Sequence, residues 1–242
     1  MNAENISPDK NREFLNIITD SFNEFLRRAT SRSTAKLKPL HGFIASDIAE
    51  RLGNEYAVFS QGYGTGKEAS IQGRYVGKRV DITIKKGGNT VAGIAVKFVM
   101  QNYSQNSVNY FENMLGETAN IRCANYPYFH VFIIFDKLPY YNADKQITHW
   151  ESFTAHNVAK YNALSKDNID EYRHTPNKLL LYVVHLPDND NLKTKNEYLS
   201  YYRTVRPVLT LSEKQYDEFG SVIIINDYNT FMEKVYHAIM AI

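Results

Sequence analysis

The chain has 242 residues, of which 43% are hydrophobic and 22% charged, proportions that exclude disordered and fibrous proteins. Its single cysteine, Cys123, excludes an intrachain disulfide and a cysteine-rich metal fold. No run approaches 18 apolar residues, and the N-terminal stretch MNAENISPDKNREF lacks an apolar core. These features predict a cytoplasmic protein that does not associate with membranes.

The net charge of +2 is distributed unevenly along the chain. Residues 1–100 carry 15 Lys or Arg against 10 Asp or Glu, whereas the remainder has an acidic surplus. Between Glu24 and Asp47 the charged residues are all basic: Arg27, Arg28, Arg32, Lys36 and Lys38. We predict that Arg28 and Arg32 contact DNA phosphates, with a solvated basic surface as the alternative.

The spacing of apolar residues along the chain predicts the helices and strands. Helical periodicity favours helices at 11–29, 46–52, 106–125 and 230–242, with Ser46 as an N-cap. Residues 31–39 are predicted to form a loop, and residues 61–67 (QGYGTGK) a flexible one that does not match a nucleotide-binding phosphate loop. Short apolar runs predict strands at 56–60, 129–135, 179–184 and 221–225. A glycine turn at 86–89 predicts a hairpin that joins strands 79–85 and 90–99.

This order of elements predicts an α/β fold in which a mixed β-sheet is flanked by helices. We expect one domain over residues 1–242. It comprises an N-terminal helical and basic segment (1–45), a core that carries the chemistry (46–135), and C-terminal helices and strands (136–242).

The hairpin contains the candidate catalytic residues. Alternation along a strand places Ala95 and Lys97 on the same face, with Val96 opposite. A lysine among apolar strand residues is unfavourable unless it meets an anion, which Asp81 on the adjacent strand would supply directly or through a metal. An edge hairpin with solvated charges is the alternative.

An aspartate on one strand and an acid-x-lysine triplet on the next form the signature of the PD-(D/E)XK nuclease superfamily, and residues 80–98 resemble a type II restriction endonuclease. The resemblance implies a restriction-endonuclease-like core in which Asp81, residue 95 and the Val96 carbonyl hold Mg²⁺. It also implies that Lys97 orients the attacking water. Cleavage of both strands of double-stranded DNA implies a homodimer.

Ala95 departs from this signature, because the family has its second acid at this position. Either the acid has moved to Glu112 or Glu117 on the following helix, or the protein is a non-cutting relative, or an acid was deliberately replaced by alanine. The intact surrounding segment favours the last explanation. Glu50 resembles the additional glutamate that many family members direct at the metal from an N-terminal helix, although a solvated helix glutamate is the preferred interpretation.

Amide side chains are concentrated after the lysine strand. Asn and Gln bond bidentately to adenine in the major groove, so we predict base readout by Gln101, Asn102, Gln105, Asn106, Asn109 and Asn113. A polar loop with helix caps is the alternative. Arg74, Lys78 and Arg79, which precede Asp81, are predicted to hold phosphates.

The sequence thus predicts a site-specific, Mg²⁺-dependent type II restriction endonuclease. Two other functions remain open. One is a relative that binds DNA specifically without cutting it, and the other is a repair or junction nuclease that recognises DNA structure.

Overall fold

The computed structural model describes residues 9–28, 34–187 and 189–242. Its central feature is a mixed seven-stranded sheet flanked by helices, which confirms the predicted α/β class. Within these ranges, none of the helices combines the length and the apolar composition that crossing a bilayer requires.

The helices and strands follow one another along the whole described chain. In order they are α1 (Lys10–Arg28), α2 (Lys38–Leu52), β1 (Tyr56–Ser60), β2 (Ala69–Gln72), β3 (Gly77–Val80), β4 (Ile82–Lys86), β5 (Asn89–Val99), α3 (Tyr103–Arg122), β6 (Tyr128–Phe135), β7 (Lys137–Tyr141), β8 (Ile147–Ser152), α4 (Ala155–Ser165), β9 (Lys178–His185), α5 (Lys195–Val205), β10 (Thr210–Leu211), β11 (Ile223–Ile225) and α6 (Tyr228–Met240). A short 3₁₀ turn, Thr34–Leu37, precedes α2.

The sheet has the strand order β1-β4-β5-β6-β9-β10, and β11 also pairs with β9. The pairs β5–β6, β6–β9 and β9–β11 are parallel, whereas β1–β4, β4–β5 and β9–β10 are antiparallel. All eight residues of β6 are buried, because helices cover both faces of the sheet there. This explains why its sequence, YFHVFIIF, is almost continuously apolar.

Aromatic contacts show which helices cover each face of the sheet. On one face Phe22 of α1 packs edge-on against Phe135 of β6. On the other face Phe132 contacts Tyr103 of α3 and Tyr161 of α4. Because side chains three positions apart on a strand point to opposite faces, α1 lies on one side of the sheet and α3 and α4 lie on the other.

The second helix begins earlier than predicted. Helix α2 starts at Lys38, within the predicted loop, and Ser46 lies in its interior. Pro39 is compatible with this start because the first helical turn needs no N–H from it. Buried Leu40 and Ile44 then hold this first part of the helix against the core.

The predicted strand 79–85 is wrong in one respect, because the chain bends at Asp81. Residues before the bend form β3 and pair with β2, whereas residues after it form β4 and pair with β1 and β5. The Asp81 side chain takes part in this change of partner, since its Oδ2 accepts a hydrogen bond from the N–H of Val96 at 2.8 Å. A carboxylate thus satisfies a β5 donor where the strand pairing is interrupted.

Candidate active site

A cavity of about 670 Å³ opens between β3, β5, β6 and α3. The sequence-predicted residues that line it are Lys78, Asp81, Ala95, Val96, Lys97, Asn113 and the two alternative acids Glu112 and Glu117. The structure therefore brings together the hairpin residues that were selected from the sequence. Ala95 and Lys97 share the face of β5 that the cavity exposes, as strand alternation predicts.

Asp81 is held in the cavity by the bend at which it lies. Burial raises its pKa to about 6, the hydrogen bond from Val96 N–H opposes this rise, and the negative charge of Glu117 adds to it. The contact that the structure shows for Val96 is made by its N–H, not by the carbonyl to which the resemblance assigns a role. A carboxylate with a raised pKa has much to gain from a nearby cation.

Two residues that sequence reasoning missed lie beside Asp81. His41 of α2 and Glu68, which precedes β2, each place a ligand atom within 4.8 Å of the others and of a carboxylate oxygen of Asp81. His41 is 2% exposed, and neither of its ring nitrogens has a hydrogen-bond partner among the described residues. A buried imidazole without partners is costly unless another group satisfies its nitrogens.

The protonation states of this cluster fit a cation. Burial lowers the pKa of His41 to about 4, although the charge of Glu68 opposes the change, so the imidazole is neutral at pH 7. Burial and the charge of Asp81 raise the pKa of Glu68. A metal ion binds the neutral form of an imidazole and the ionised form of a carboxylate. Its positive charge would also relieve the repulsion between the two carboxylates.

Glycines in the segment 61–67 bring Glu68 towards α2. Gly62 has φ +81°, and a Cβ atom on Gly42 of α2 would lie 2.6 Å from the Gly62 carbonyl oxygen. The two backbones therefore approach so closely that both positions require glycine. The segment was predicted to be a flexible loop, but its backbone packs against the helix that carries His41.

Lys97 provides a positive charge in the cavity that Asp81 also lines. Its side chain remains partly exposed, and its Nζ lies 4.4 Å from the centre of the Tyr110 ring of α3. Partial burial lowers the pKa of Lys97, and the charge of Asp81 opposes this effect. The aromatic ring restrains the ammonium in the cavity by a cation–π contact.

The alternative acids are placed differently from one another. Glu117 is engaged, because it forms an ion pair with Lys78 at 2.7 Å and accepts a hydrogen bond from the Tyr128 hydroxyl. Glu112 is exposed at the cavity wall. Glu50 does not belong to the group of described residues that line the cavity; it is 77% exposed and lies 3.9 Å from Lys10. The structure therefore does not bring Glu50 to Asp81.

The predicted phosphate contacts have varied environments. Arg28 lies on α1, where it and Arg27 both pair with Glu24, whose pKa they lower to about 2. Arg32 lies outside the described residues. Arg74 is exposed at the tip of the β2–β3 hairpin, whereas Lys78 is engaged by Glu117.

The amide tract does not form one surface. Asn102 is structural, because its side chain donates to the Tyr141 carbonyl and accepts from the Tyr141 N–H, both at 2.9 Å. Asn102 nevertheless lines, together with Gln101, Gln105 and Asn106, a smaller cavity of about 230 Å³ that Lys36 and Lys97 also border. Asn109 is exposed on α3, and Asn113 faces the larger cavity. The prediction of base readout by Asn102 therefore conflicts with its role as a tether between α3 and β7.

Comparisons of the chain with protein-family models, with curated proteins and with solved structures found no match. Function is therefore inferred from the chemistry of the cavity. Asp81 lines the cavity together with the restrained Lys97, and it also belongs to the cluster with His41 and Glu68, two residues outside the group that lines the cavity. One nitrogen and two carboxylate donors next to a lysine-bearing cavity are suited to metal-assisted hydrolysis of an anionic substrate.

Proposed function

We propose that the protein is a divalent-metal-dependent endonuclease that hydrolyses phosphodiester bonds in double-stranded DNA, in the manner of the PD-(D/E)XK enzymes that residues 80–98 resemble. The observation that carries this proposal is the convergence of His41, Glu68 and Asp81, of which Asp81 also lines the cavity that contains Lys97.

The donors fit a divalent cation. Both ring nitrogens of His41 lack partners within the described part of the chain, and the raised pKa values of Glu68 and Asp81 reflect charge that a cation would stabilise. His41 and Glu68 compensate for the carboxylate that Ala95 lacks, so the site has three protein donors without an acid at position 95. Because imidazole is a softer ligand than carboxylate, this set suits Mn²⁺ at least as well as the predicted Mg²⁺.

The residues of the cavity have distinct roles in the proposed reaction. A bound divalent cation supplies Lewis-acid stabilisation of a phosphoryl oxygen. Asp81 is held in one orientation by the N–H of Val96. Lys97 places its ammonium where negative charge develops on the phosphoryl group, and the partly buried setting strengthens that attraction. Arg79, exposed on β3 at the cavity wall, attracts the phosphate backbone.

Cleavage of supercoiled and linear plasmid in Mg²⁺ or Mn²⁺ tests this proposal. The variants Asp81→Asn, Glu68→Gln and Lys97→Met should each cut roughly 100-fold more slowly or worse, because several kcal/mol of charge stabilisation are lost. Glu50→Gln is the matched control for Glu68→Gln, since it makes the same change on an exposed carboxylate. Equal cutting by Glu68→Gln and Glu50→Gln would exclude the cluster from the reaction.

The products distinguish the proposed enzyme from its rivals. Discrete fragments indicate a site-specific enzyme, for which a homodimer would present two such cavities to the two strands. Nicking of branched substrates alone indicates a structure-specific nuclease. Specific binding without cutting in either metal indicates a non-cleaving relative, the interpretation that Ala95 favours. In that case Ala95→Glu, which adds a carboxylate to the same strand face as Lys97, should introduce metal-dependent cutting.

A further inference from the structure

The tip of the β2–β3 hairpin presents apolar side chains to solvent. Tyr75 is 76% exposed and Val76 is 61% exposed. The base of the hairpin is buried, because Ile71 of β2 and Val80 of β3 pack in a small core with Ile121 and Tyr128. Exposure of apolar side chains is therefore confined to the turn and does not reflect a poorly packed hairpin.

A single side chain holds the tip in place. The Oδ1 of Asn120, on α3, accepts hydrogen bonds from the N–H groups of Tyr75 at 2.9 Å and Val76 at 3.2 Å. Its Nδ2 donates to the Val76 carbonyl at 2.9 Å, and its own carbonyl accepts from the Arg74 N–H at 2.7 Å. Asn120 is 8% exposed, and Gly73 packs against it with no room for a Cβ atom. The backbone of the tip is thus fixed while its side chains project outwards.

The tip lies at the rim of the proposed catalytic cavity. Val76 and Asn120 line the cavity that also contains Asp81 and Lys97. A substrate whose phosphate reaches Lys97 therefore passes the hairpin tip. The fold does not need apolar residues at the tip, because polar residues there would cost nothing in packing. Two exposed apolar side chains on a rigid support next to the reacting groups therefore indicate a contact with the substrate.

The surrounding charge indicates what the tip contacts. Arg74, Lys78 and Arg79 are exposed and flank Tyr75 and Val76 in the sequence. An aromatic side chain between basic residues fits a polyanion that carries flat apolar groups, which describes a nucleic acid. A protein partner fits less well, since two exposed side chains supply far less than the roughly 800 Å² that each partner buries in a stable protein interface.

We propose that Tyr75 stacks on a nucleobase of the DNA substrate, with Val76 against the neighbouring sugar or base and the flanking basic residues on the phosphates. This inference rests on the proposed function for its substrate class. It adds a stacking contact, which differs in kind from the hydrogen bonds predicted for the amide tract, and it is made by a hairpin whose backbone is ordered before DNA arrives. Preordering avoids an entropic cost on binding.

Fluorescence anisotropy with a labelled random-sequence duplex in Ca²⁺ buffer tests the contact. Tyr75→Ala should weaken binding roughly 3- to 10-fold, because the gain from stacking on a base is partly offset by the cost of unstacking a step of the duplex. Tyr75→Phe keeps the ring and should bind like the unchanged protein. Tyr172→Ala removes another exposed aromatic, 46% exposed and outside the group that lines the cavity, and serves as the matched control. Equal affinities for Tyr75→Ala and Tyr172→Ala would overturn the proposal.

A second measurement reports the contact directly. In Tyr75→Trp, the introduced indole should be quenched when duplex DNA is added, whereas Trp150 in the unchanged protein corrects for background. Binding without quenching would refute stacking. The outcome is separable from catalysis: loss of binding in Tyr75→Ala supports the hairpin contact even if no variant cuts DNA. If Tyr75→Ala cuts DNA normally and binds it with unchanged affinity, the contact is refuted while the proposed nuclease function stands. Failure to bind any duplex would overturn both.

Discussion

Replacing Gly42 by alanine should destabilise the protein, although the same replacement within a helix usually does the opposite. Alanine is favoured over glycine in a helix interior by about 1 kcal/mol. In α2, however, the new Cβ would lie 2.6 Å from the Gly62 carbonyl oxygen and 3.1 Å from its carbon. Two backbones must then separate, and overpacking of this kind costs about 1 to 3 kcal/mol. The expected net change for Gly42→Ala is a loss of about 0 to 2 kcal/mol.

Gly116→Ala is the matched control, because Gly116 lies in helix α3 and a Cβ atom added there would meet none of the described residues within 4 Å outside its own helix backbone. This variant should gain about 1 kcal/mol, so the two variants should differ by about 1 to 3 kcal/mol. With an m-value of about 2 kcal/mol/M, their urea midpoints should differ by roughly 0.5 to 1.5 M. Equal midpoints would show that α2 and the segment 61–67 do not approach as described.

The same substitution also probes the metal cluster. Displacing Gly62 from α2 would move Glu68 away from His41, so Gly42→Ala should bind Mn²⁺ more weakly than the unchanged protein in calorimetric titration. If the urea midpoint falls but the Mn²⁺ affinity is unchanged, the packing of α2 against the segment 61–67 does not position the cluster. That result would contradict the structural link between them.

Three further substitutions test polar contacts that are buried or partly buried. Thr118→Val should cost about 1 to 3 kcal/mol in urea unfolding, because it removes the 2.9 Å partner of the Nε2 of buried His130; a loss below about 0.5 kcal/mol would contradict this. Glu151→Gln should cost about 1 to 2 kcal/mol, since Glu151 accepts from two N–H groups at the start of α3, and an unchanged midpoint would argue against this cap. Burial raises the pKa of Asp227, but hydrogen bonds from Thr230 and others outweigh it, so the net pKa is lowered. Its contribution to stability is therefore present above the unfolded pKa near 4 and is lost as the pH falls through the lower folded pKa. In urea unfolding, the free energies of unfolding of Asp227→Asn and of the unchanged protein should differ more at pH 7 than at pH 3, and an equal difference at both pH values would contradict this.

The apolar patterns were sufficient to predict the centre of the fold. Residues 129–135 and 179–184 form the buried strands β6 and β9, and the glycine turn forms the β4–β5 hairpin. These patterns are informative because a strand that is buried on both faces must be apolar throughout. The β7–β8 hairpin was not predicted, since its strands, KLPYY and ITHWES, mix polar and aromatic residues without a regular apolar pattern.

The cluster at the cavity could be predicted only in part. Asp81 and Lys97 belong to one hairpin segment and therefore form a local sequence motif. His41 and Glu68 reach Asp81 only through tertiary packing and belong to no such motif. The choice of Glu50 shows the difficulty. It lies nine residues after His41 on α2, which at 100° per residue places it half a turn away, on the opposite side of the helix. Selecting the correct side required the packing of α2, which its weak amphipathicity does not reveal.

The joining of α1 to α6 has a consequence for biosynthesis. Phe14 stacks on Tyr228 at 4.0 Å, and Asn11 donates to Asp227 across a separation of 216 residues. At about 5 to 20 residues per second, a ribosome takes about 10 to 40 s to synthesise that interval. The part of the first helix that packs against α6 thus emerges long before α6 exists, whereas α2, which Phe14 contacts through Phe43, follows directly. During translation this part of the helix surface stays uncovered until α6 has been synthesised.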